Sequence, residues 1–380
     1  MKKQLKYTPA LVFCIFIFII PILYLSITDS DYSPLEKRKL SQFPEPTLKS
    51  VFNGKFGEDF ETYLNDQMPL RTFFVGTNAY YDQLSGRNGM SGIYNGKDDY
   101  LLVTPVEDKS TFDNNIRFIG EFIDEIKKPV YVCIVPSAGC IYNDKLPLNH
   151  YNYNDEALIN KVKDGFSEYD NCTFIDIMSD FKTLSGSEQL YYKTDHHWTS
   201  LGAFECYNIL GNYMGFTPTK QDQFNIESYS GFYGTNYSKS ALWFNRGETL
   251  EVWDNKKRAD QPVSVVISDG GEVTATDSLF NRNNLDTEDQ YTVFLDGNHA
   301  MVTINNENAE TDRKLLLLRD SYSHCLAPFL VDNYSEIILV DVRYYLNPVS
   351  DIVTSQNIDD ILLLYSIDSI VNSTDLAGIY

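Results

Sequence analysis

Short apolar runs without polar alternation mark the buried strands of this chain. They lie at Pro129–Pro136, Cys172–Met178, Leu315–Leu318, Glu336–Val342 and Asp360–Tyr365. Strands that are buried on both faces have this pattern. Segments with helical periodicity lie between them, at Ser110–Lys127, Asp155–Glu168 and Thr199–Met214. Alternation of buried strands and helices predicts an α/β fold, a parallel sheet flanked by helices.

Residues 217–312 interrupt that rhythm. They are polar and alternate with period two, most clearly at Val263–Ile267, Gln290–Leu295 and Ala300–Ile304. Such alternation is typical of half-buried strands. We therefore predict a β-rich insertion of about a hundred residues, or an extension of the sheet. Because it falls between the two chemical motifs described below, we expect it to roof one side of the cleft.

The first ninety residues have a different pattern. The uncharged stretch Pro9–Ile27 follows Lys2, Lys3 and Lys6 and is long enough to span a bilayer. The basic flank predicts a cytoplasmic N-terminus and an extracellular remainder. No Ala-x-Ala site follows, which favours an uncleaved anchor over a cleaved signal.

The domain boundaries follow from these patterns. Residues 1–29 are the cytoplasmic tip and transmembrane anchor, 30–48 a Pro-containing stem, and 49–380 the extracellular domain with its 217–312 insertion. Residues 49–86 are predicted to be helical, with a core-packing stripe of Phe52, Phe56, Phe60, Tyr63 and Leu64. Residues 93–103 are predicted to form a hairpin with Asn95-Gly96 as its turn.

Charge and cysteine content exclude several classes. The formal net charge is -22, so the surface repels nucleic acid and anionic lipid. An uncharged or mildly charged glycan suits this surface better than a polyphosphate. Five cysteines follow the anchor, an odd and sparse set without metal spacing, and we interpret them as buried free thiols. A Cys133–Cys140 bridge stays open.

Two motifs carry candidate chemistry. Asp195 precedes His197 by two residues, just before a helix, so its carboxylate can orient the imidazole as a general base. Ser321 follows the buried strand Leu315–Leu318, where the carboxyl end of a strand in a parallel sheet presents reactive groups. Together they predict a Ser-His-Asp triad that forms an acyl-serine intermediate.

Further residues are candidates for contacts with the substrate or the oxyanion. The oxyanion donors we expect are the backbone N–H groups of Ser321 and Tyr322, with Gly297-Asn298 as a second source. Arg343 and Tyr344 follow a strand end and either line the cleft or form a core ion pair. His196 has a structural or substrate-contact role. Trp198 is a packing wedge in preference to a sugar platform.

The motif Thr194-Asp195-His196-His197-Trp198-Thr199-Ser200-Leu201-Gly202-Ala203 resembles the signature of the DHHW family and is similar to the alginate O-acetylation proteins AlgJ and AlgX. Other matching segments lie in the same order along the chain, at Phe60–Arg71, Gly96–Leu101, Val135–Ser137, Lys145–Pro147, Tyr291–His299 and Asp341–Tyr344. The resemblance covers essentially the whole extracellular part.

The resemblance implies an SGNH-hydrolase-like fold in permuted order, with Asp195 and His197 ahead of Ser321. It also implies O-acetyl transfer to polysaccharide hydroxyls, with a membrane-bound O-acyltransferase as acetyl supplier. Three positions depart from the pattern of these families. Arg319 replaces a Gly near the Ser, Asp99 replaces a Gly in the turn, and Ser137-Ala138-Gly139 lacks a Lys.

We therefore expect a membrane-anchored extracellular O-acetyltransferase or esterase that acts on a cell-surface or exopolysaccharide glycan without a cofactor or metal. A non-catalytic glycan-binding or polysaccharide-assembly protein is the alternative. A metal-dependent phosphoesterase is the third reading, because Asp195-His196-His197 spells the DHH motif, but the further Asp clusters that it needs are missing from the sequence.

Overall fold

The computed structural model describes residues 7–105 and 109–379, which form two compact units. Of the described residues, 7–87 with Ala241–Trp243 make up the first unit, and 88–105, 109–240 and 244–379 make up the second. Lys2, Lys3 and Lys6, the basic flank of the predicted anchor, lie outside the described residues.

The first unit holds helix α1, two short paired strands and three further helices. Its elements are α1 (Thr8–Ser26), β1 (Tyr32–Ser33), β2 (Arg38–Lys39), α2 (Leu48–Phe52), α3 (Lys55–Asp66) and α4 (Arg71–Leu84). Helix α1 has a mean hydropathy of 2.5 and is a candidate membrane span by length and composition. The bidentate pair between Arg38 and Asp66, at 2.5 and 2.9 Å, ties β2 to α3.

The predicted helical segment 49–86 is divided into three helices. Gly54 and Leu70 stand at the two breaks with φ of 83° and 62°, in the left-handed region that ends a helix. The aromatic stripe packs only in part. Phe60 and Tyr63 contact Phe43 with ring centroids 5.8 and 5.4 Å apart, whereas Phe52 is 87% exposed, so the core-packing prediction was wrong for Phe52.

The second unit is built on an eight-stranded sheet. Its strands are β3 (Ile93–Asn95), β4 (Leu101–Val103), β5 (Val130–Val135), β6 (Cys172–Ile175), β7 (Phe224–Phe232), β8 (Glu248–Asn255), β9 (Ser264–Asp269), β10 (Glu272–Thr276), β11 (Met301–Asn305), β12 (Lys314–Arg319), β13 (Glu336–Val340) and β14 (Asp360–Ser366). Pairs β3–β4 and β7–β8 form separate antiparallel ribbons.

The helices of the second unit connect these strands. They are α5 (Lys109–Glu125), α6 (Ala138–Ile141), α7 (Asp155–Phe166), α8 (Met178–Leu184), α9 (Ser200–Met214), α10 (Thr235–Ser240), α11 (Ser323–Leu330), α12 (Val349–Ser355) and α13 (Ile367–Asn372). Helix α9 packs on α11, and α5 packs on α13 and α7.

The sheet has the strand order β10-β9-β11-β13-β12-β14-β5-β6. Strands β13, β12, β14, β5 and β6 are parallel, and β11, β9 and β10 add to one side in antiparallel register. The fold is therefore mixed α/β with a large, mainly parallel sheet. Its centre is apolar, since the Leu315–Leu318 and Ile361–Leu364 side chains have no exposed surface.

Segment 217–312 divides between two roles. Strands β9, β10 and β11 extend the main sheet, which was the second alternative, while β7 and β8 form their own ribbon. The prediction of a strand at Gln290–Leu295 was wrong, because Gln290–Val293 is a 3-10 turn in which the Thr292 hydroxyl donates to Asp289 O at 2.6 Å.

The two cysteines of the open bridge, Cys133 and Cys140, are both free thiols.

Candidate active site

Ser321 stands directly beyond the carboxyl end of the central strand β12. The chain leaves β12 toward its parallel neighbour β13 through α11, while β14 lies on the other side of β12. Ligand sites of α/β sheets form at such a reversal of strand order. Ser321 falls in the turn before α11, half-buried, with its hydroxyl at the wall of a cavity.

Asp195, His197 and Ser321 form a hydrogen-bonded chain. His197 Nδ1 lies 2.5 Å from Asp195 Oδ1, and His197 Nε2 lies 2.7 Å from Ser321 Oγ. An ionised carboxylate only accepts, so Nδ1 carries the proton and Nε2 is left to accept from the serine hydroxyl. This is the arrangement in which an imidazole can take a proton from a serine.

Asp195 is held as an anion. Burial favours its neutral form, but the nearby His197 and His196 imidazoles and the hydrogen bonds it accepts outweigh burial, so its pKa lies well below the usual value. Oδ1 also accepts the His197 N–H at 2.9 Å, and Oδ2 accepts the Thr235 N–H at 2.6 Å. Three hydrogen-bond donors, His197 Nδ1, His197 N and Thr235 N, therefore fix the carboxylate and, through it, the imidazole.

Glu248 of β8 holds the chain just ahead of Asp195. Its two oxygens accept from Lys193 N at 2.8 Å, Thr194 N at 2.7 Å, Thr194 Oγ1 at 2.6 Å and Gln189 Nε2 at 2.9 Å. Burial raises the pKa of Glu248, although these hydrogen bonds oppose the rise. This carboxylate clamp was absent from the sequence-based prediction, and a single acidic residue in an alternating strand carries no signal that could have revealed it.

Two further contacts come from segment 217–312. Gly234 precedes Thr235 and lies against Asp195, so close that a Cβ at this position would stand 2.2 Å from the Asp195 Cβ. The Tyr291 ring stacks on the His197 imidazole, with centroids 3.9 Å apart and planes 6° from parallel. Tyr291 belonged to the segments that resemble the family, but no role had been predicted for it.

Asp320 ties the serine turn to the next strand. Its Oδ1 accepts from Tyr322 N at 3.1 Å, and its Oδ2 accepts from Ser366 N at 2.7 Å and Ser369 Oγ at 2.8 Å. The Tyr322 N–H, one predicted oxyanion donor, is therefore engaged. The Ser321 N–H donates no hydrogen bond within the described part of the chain and is left as the backbone donor beside the nucleophile.

A fully buried guanidinium lies behind the serine turn. Arg319 contacts His324 Nε2, donates to His299 O at 3.2 Å and lies 3.7 Å from the Asp341 carboxylate. Burial, and after it the charge of Arg319, keeps the pKa of His324 well below its usual value, so His324 is neutral and accepts. Arg319 stands where hydrolases of the resembled type have glycine, and the Asp341 and Asp320 carboxylates are the anions near it.

The cavity beside Ser321 has a volume of about 450 Å³, within the range of small-molecule sites. Its walls come from the ends of β12, β13 and β14, from α10 and from the C-terminal segment. Besides the serine turn, the polar lining residues are Thr104, His196, Asn236, Lys239, Asp341, Arg343, Tyr365, Ser366, Asp368, Ser369, Asn372, Ser373 and Asp375. The catalytic candidate Ser321 thus opens onto a polar cavity.

The other predicted site residues lie in three different settings. His196 and Arg343 line the cavity, and Arg343 is also paired with Asp341 at 2.6 Å. Tyr344 is half-exposed beneath the Arg343 guanidinium at 5.3 Å. The remaining three, Gly297, Asn298 and Trp198, are absent from the cavity wall. Asn298 Oδ1 accepts from Arg343 at 3.2 Å, and Trp198, without exposed surface, donates to Tyr322 O at 3.0 Å.

Asp195, His196 and His197 also form a group with metal-ligand atoms within 4.8 Å of one another. His197 does not fit such a role, since both of its ring nitrogens are engaged by Asp195 and Ser321 at hydrogen-bond distance. A metal at this place would have to break the Asp195–His197 hydrogen bond.

Comparisons with known proteins agree with this architecture. A probable alginate O-acetylase AlgJ from Pseudomonas syringae pv. tomato is 24% identical over 181 residues, 44% of this chain and 44% of that relative. The match therefore spans less than half the length of the relative. A DHHW family protein from Eubacterium siraeum is 22% identical, covering 76% of this chain and 95% of the other, with a TM-score of 0.64.

PatB1 from Bacillus cereus is 20% identical, covers 73% of this chain and 97% of its own, and has a TM-score of 0.62. At these identities the two structures establish a common fold. The family model described as DHHW protein matches residues 98–340, well over half of the chain. This chain is a member of the DHHW protein family.

Proposed function

We propose that this protein is a membrane-anchored extracellular O-acetyltransferase or carbohydrate acetylesterase that uses a Ser321-His197-Asp195 triad on a permuted SGNH-hydrolase-like fold. The observation that carries the proposal is the 2.7 Å contact between His197 Nε2 and Ser321 Oγ, with His197 Nδ1 held by Asp195. The two relatives named probable alginate O-acetylase AlgJ support the same class of chemistry.

The first half-reaction forms an acetyl-serine. Ser321 Oγ attacks the carbonyl of an acetyl donor while His197 Nε2 takes the hydroxyl proton. In this proposal the Ser321 N–H donates to the developing oxyanion. Collapse of the tetrahedral intermediate breaks the bond to the leaving group, which receives the proton from His197. Asp195 stays ionised throughout and stabilises the imidazolium.

The second half-reaction transfers the acetyl group. His197 removes a proton from a sugar hydroxyl, whose oxygen attacks the acetyl-serine, and collapse of that intermediate returns the proton to Ser321. Attack by water in place of the sugar would release acetate, so transferase and esterase differ only in the acceptor. We propose a membrane-bound O-acyltransferase as acetyl supplier, with helix α1 holding the site at the cell surface.

The test uses the full chain in detergent micelles with 4-nitrophenyl acetate as donor. Ser321→Ala, His197→Ala and Asp195→Asn should each lower kcat by a factor of about 10³ or more. Mass spectrometry of the wild type, quenched early, should find an acetyl group on the peptide that contains Ser321. Ser323→Ala is the matched control, because the buried Ser323 hydroxyl has no hydrogen-bond partner in the described structure.

Equal rates for the wild type and Ser321→Ala would end the proposal. They would favour the alternative, a non-catalytic glycan-binding or polysaccharide-assembly protein on the same fold. Loss of activity on chelation with EDTA, reversed by a divalent metal, would instead support a metal-dependent reaction. We expect no effect of EDTA, since His197 already uses both ring nitrogens.

A further inference from the structure

The cavity beside Ser321 contains buried polar atoms that lack partners in the described structure. Asn236 is 2% exposed, and its Nδ2 donates to Leu101 O at 2.8 Å, which fixes the amide. Its Oδ1 accepts nothing. Tyr365 is 3% exposed, and its Oη also has no partner. Both side chains line the cavity, and leaving such atoms unpaired is costly unless a ligand or water pairs with them.

These two atoms require different partners from a ligand. Asn236 Oδ1 is an acceptor and needs a donor, whereas the Tyr365 hydroxyl can donate or accept. An alcohol both donates and accepts and therefore fits the pair. An ionised carboxylate only accepts and cannot satisfy Asn236.

The charges on the cavity wall point in the same direction. Arg319 and Arg343 share the carboxylate of Asp341, at 3.7 and 2.6 Å, and the Asp320 carboxylate, which also lines the cavity, is the second anion near both guanidinium groups. Asp368 and Asp375 line the cavity without a salt bridge in the described structure, and Lys239, also in the lining, is the cation that acts on Asp368. The Arg319 Nε–H has no hydrogen-bond partner in the described structure, but the side chain has no exposed surface. Arg319 therefore does not present a positive charge that would attract a carboxylate. The carboxylate of a ligand that entered this cavity would be repelled by the Asp368 carboxylate.

We propose that this cavity is the subsite for the sugar acceptor and that it selects an uncharged, hydroxyl-bearing pyranose over a uronate. Asn236 and Tyr365 take hydroxyls of the sugar, and Asp368 accepts a hydrogen bond from a further hydroxyl while it repels a carboxylate. That the sugar is an acceptor rests on the proposed function, but the selectivity concerns binding and is tested without acetyl transfer.

The experiment measures binding of methyl β-D-glucopyranoside and methyl β-D-glucuronide to the full chain carrying Ser321→Ala. Saturation-transfer NMR at pH 8.5 reports both affinities under conditions in which Asp368 is ionised, since burial, followed by Asp155 and Asp320, raises its pKa to about 7. The glucoside should bind at least about fivefold more tightly, the effect of two like charges about 4 Å apart in water.

Asp368→Asn on the same background should reduce that ratio to about one by improving the affinity for the glucuronide. Asp260→Asn, at an exposed carboxylate outside the cavity, is the matched control and should leave the ratio unchanged. Equal or tighter binding of the glucuronide, an unchanged ratio in Asp368→Asn, or no binding of the glucoside would each overturn the proposal. Hydrolysis of 4-nitrophenyl acetate by the wild type tests the proposed function separately, so the two failures are distinguishable.

Discussion

Gly234 lies against Asp195 so closely that the only side chain its position admits is a hydrogen atom. A Cβ there would stand 2.2 Å from the Asp195 Cβ and 2.4 Å from its Oδ2. The next residue, Thr235, donates its N–H to the same carboxylate. Because Gly234 has no side chain, the backbone at Thr235 can come close enough to donate its N–H to the Asp195 carboxylate.

Gly234→Ala should displace Asp195 and, through it, His197. Because a misplacement of about 1 Å can cost 10²-fold in rate, we expect kcat for 4-nitrophenyl acetate to fall by about that factor. Overpacking should also lower the free energy of unfolding by about 1–3 kcal/mol. Gly57→Ala, with open space around its Cβ, is the control. Wild-type kinetics in Gly234→Ala would show that this contact does not position the carboxylate.

Glu248→Gln should loosen the segment ahead of Asp195. The Glu248 carboxylate accepts four hydrogen bonds. An amide nitrogen in place of one oxygen is a donor, so it would face N–H or O–H groups and could not accept from them. We expect the free energy of unfolding to fall by about 1–3 kcal/mol and kcat to fall with it. Denaturant unfolding and steady-state kinetics measure the two effects.

The control for this change is Glu272→Gln on the exposed strand β10. A loss of stability without any change in kcat would mean that the clamp stabilises the fold but does not orient the site.

Tyr291 should act on His197 through its ring and not through its hydroxyl. The ring stacks on the imidazole, where cation–π attraction can stabilise the positive charge that His197 acquires during the reaction, whereas the Tyr291 Oη has no hydrogen-bond partner among the described residues. Tyr291→Leu should therefore lower kcat/KM by roughly fivefold, the equivalent of about 1 kcal/mol. Tyr291→Phe keeps the ring and should match the wild type in rate. Equal effects of the two substitutions would contradict this role.

Asp368→Asn should change stability in a pH-dependent way. Burial, and after it Asp155 and Asp320, raises the pKa of Asp368 from 3.8 to about 7, while Lys239 opposes the rise. A carboxyl that binds its proton more tightly when folded stabilises the protein below its unfolded pKa, and this contribution is lost as the pH rises to 7. The wild type should thus lose stability relative to Asp368→Asn between pH 4 and 8.

After allowance for partial exposure, the difference should be on the order of 2 kcal/mol, measured by urea unfolding at both pH values. Asp260→Asn, which lies outside the cavity, should show no such trend. A constant difference between wild type and Asp368→Asn across this range would show that Asp368 is not destabilised by its surroundings.

The parts of the fold that could be predicted are those with local signals. The Leu-rich run of β12 is buried on both faces and therefore lacks alternation, which indicated a central parallel strand. The start of α9 was also predictable, because Thr199 caps the helix through the Gly202 N–H at 3.1 Å. The turn at Gln290–Val293 could not be predicted, because its alternating pattern is typical of a strand. Its tertiary contact, the Tyr291 ring stacked on His197, has no signal in the local sequence.

Asp195, His197 and Ser321 were identifiable because each stands at a fixed offset from a helix start or a strand end. The contacts that hold them in place depend on which distant segments the fold brings beside them. Glu248, Gly234 and Tyr291 come from a region whose sequence indicates only strands and turns. Conversely, Gly297-Asn298 resembled an oxyanion source by composition, but Asn298 is held by Arg343 and absent from the cavity wall.

The sequence alone determined the strand-and-helix alternation, the apolar N-terminal helix, the acidic surface and the three candidate catalytic residues. These depend on the periodicity of side chains and on short spacings, which are local properties of the chain. Only the tertiary structure decided the 2.7 Å approach of residues 124 positions apart, the clamp on Thr194 and the unpaired atoms of the cavity. Hydrogen bonds act over about 3 Å, so their partners are set by how the chain packs in space and not by their separation along it.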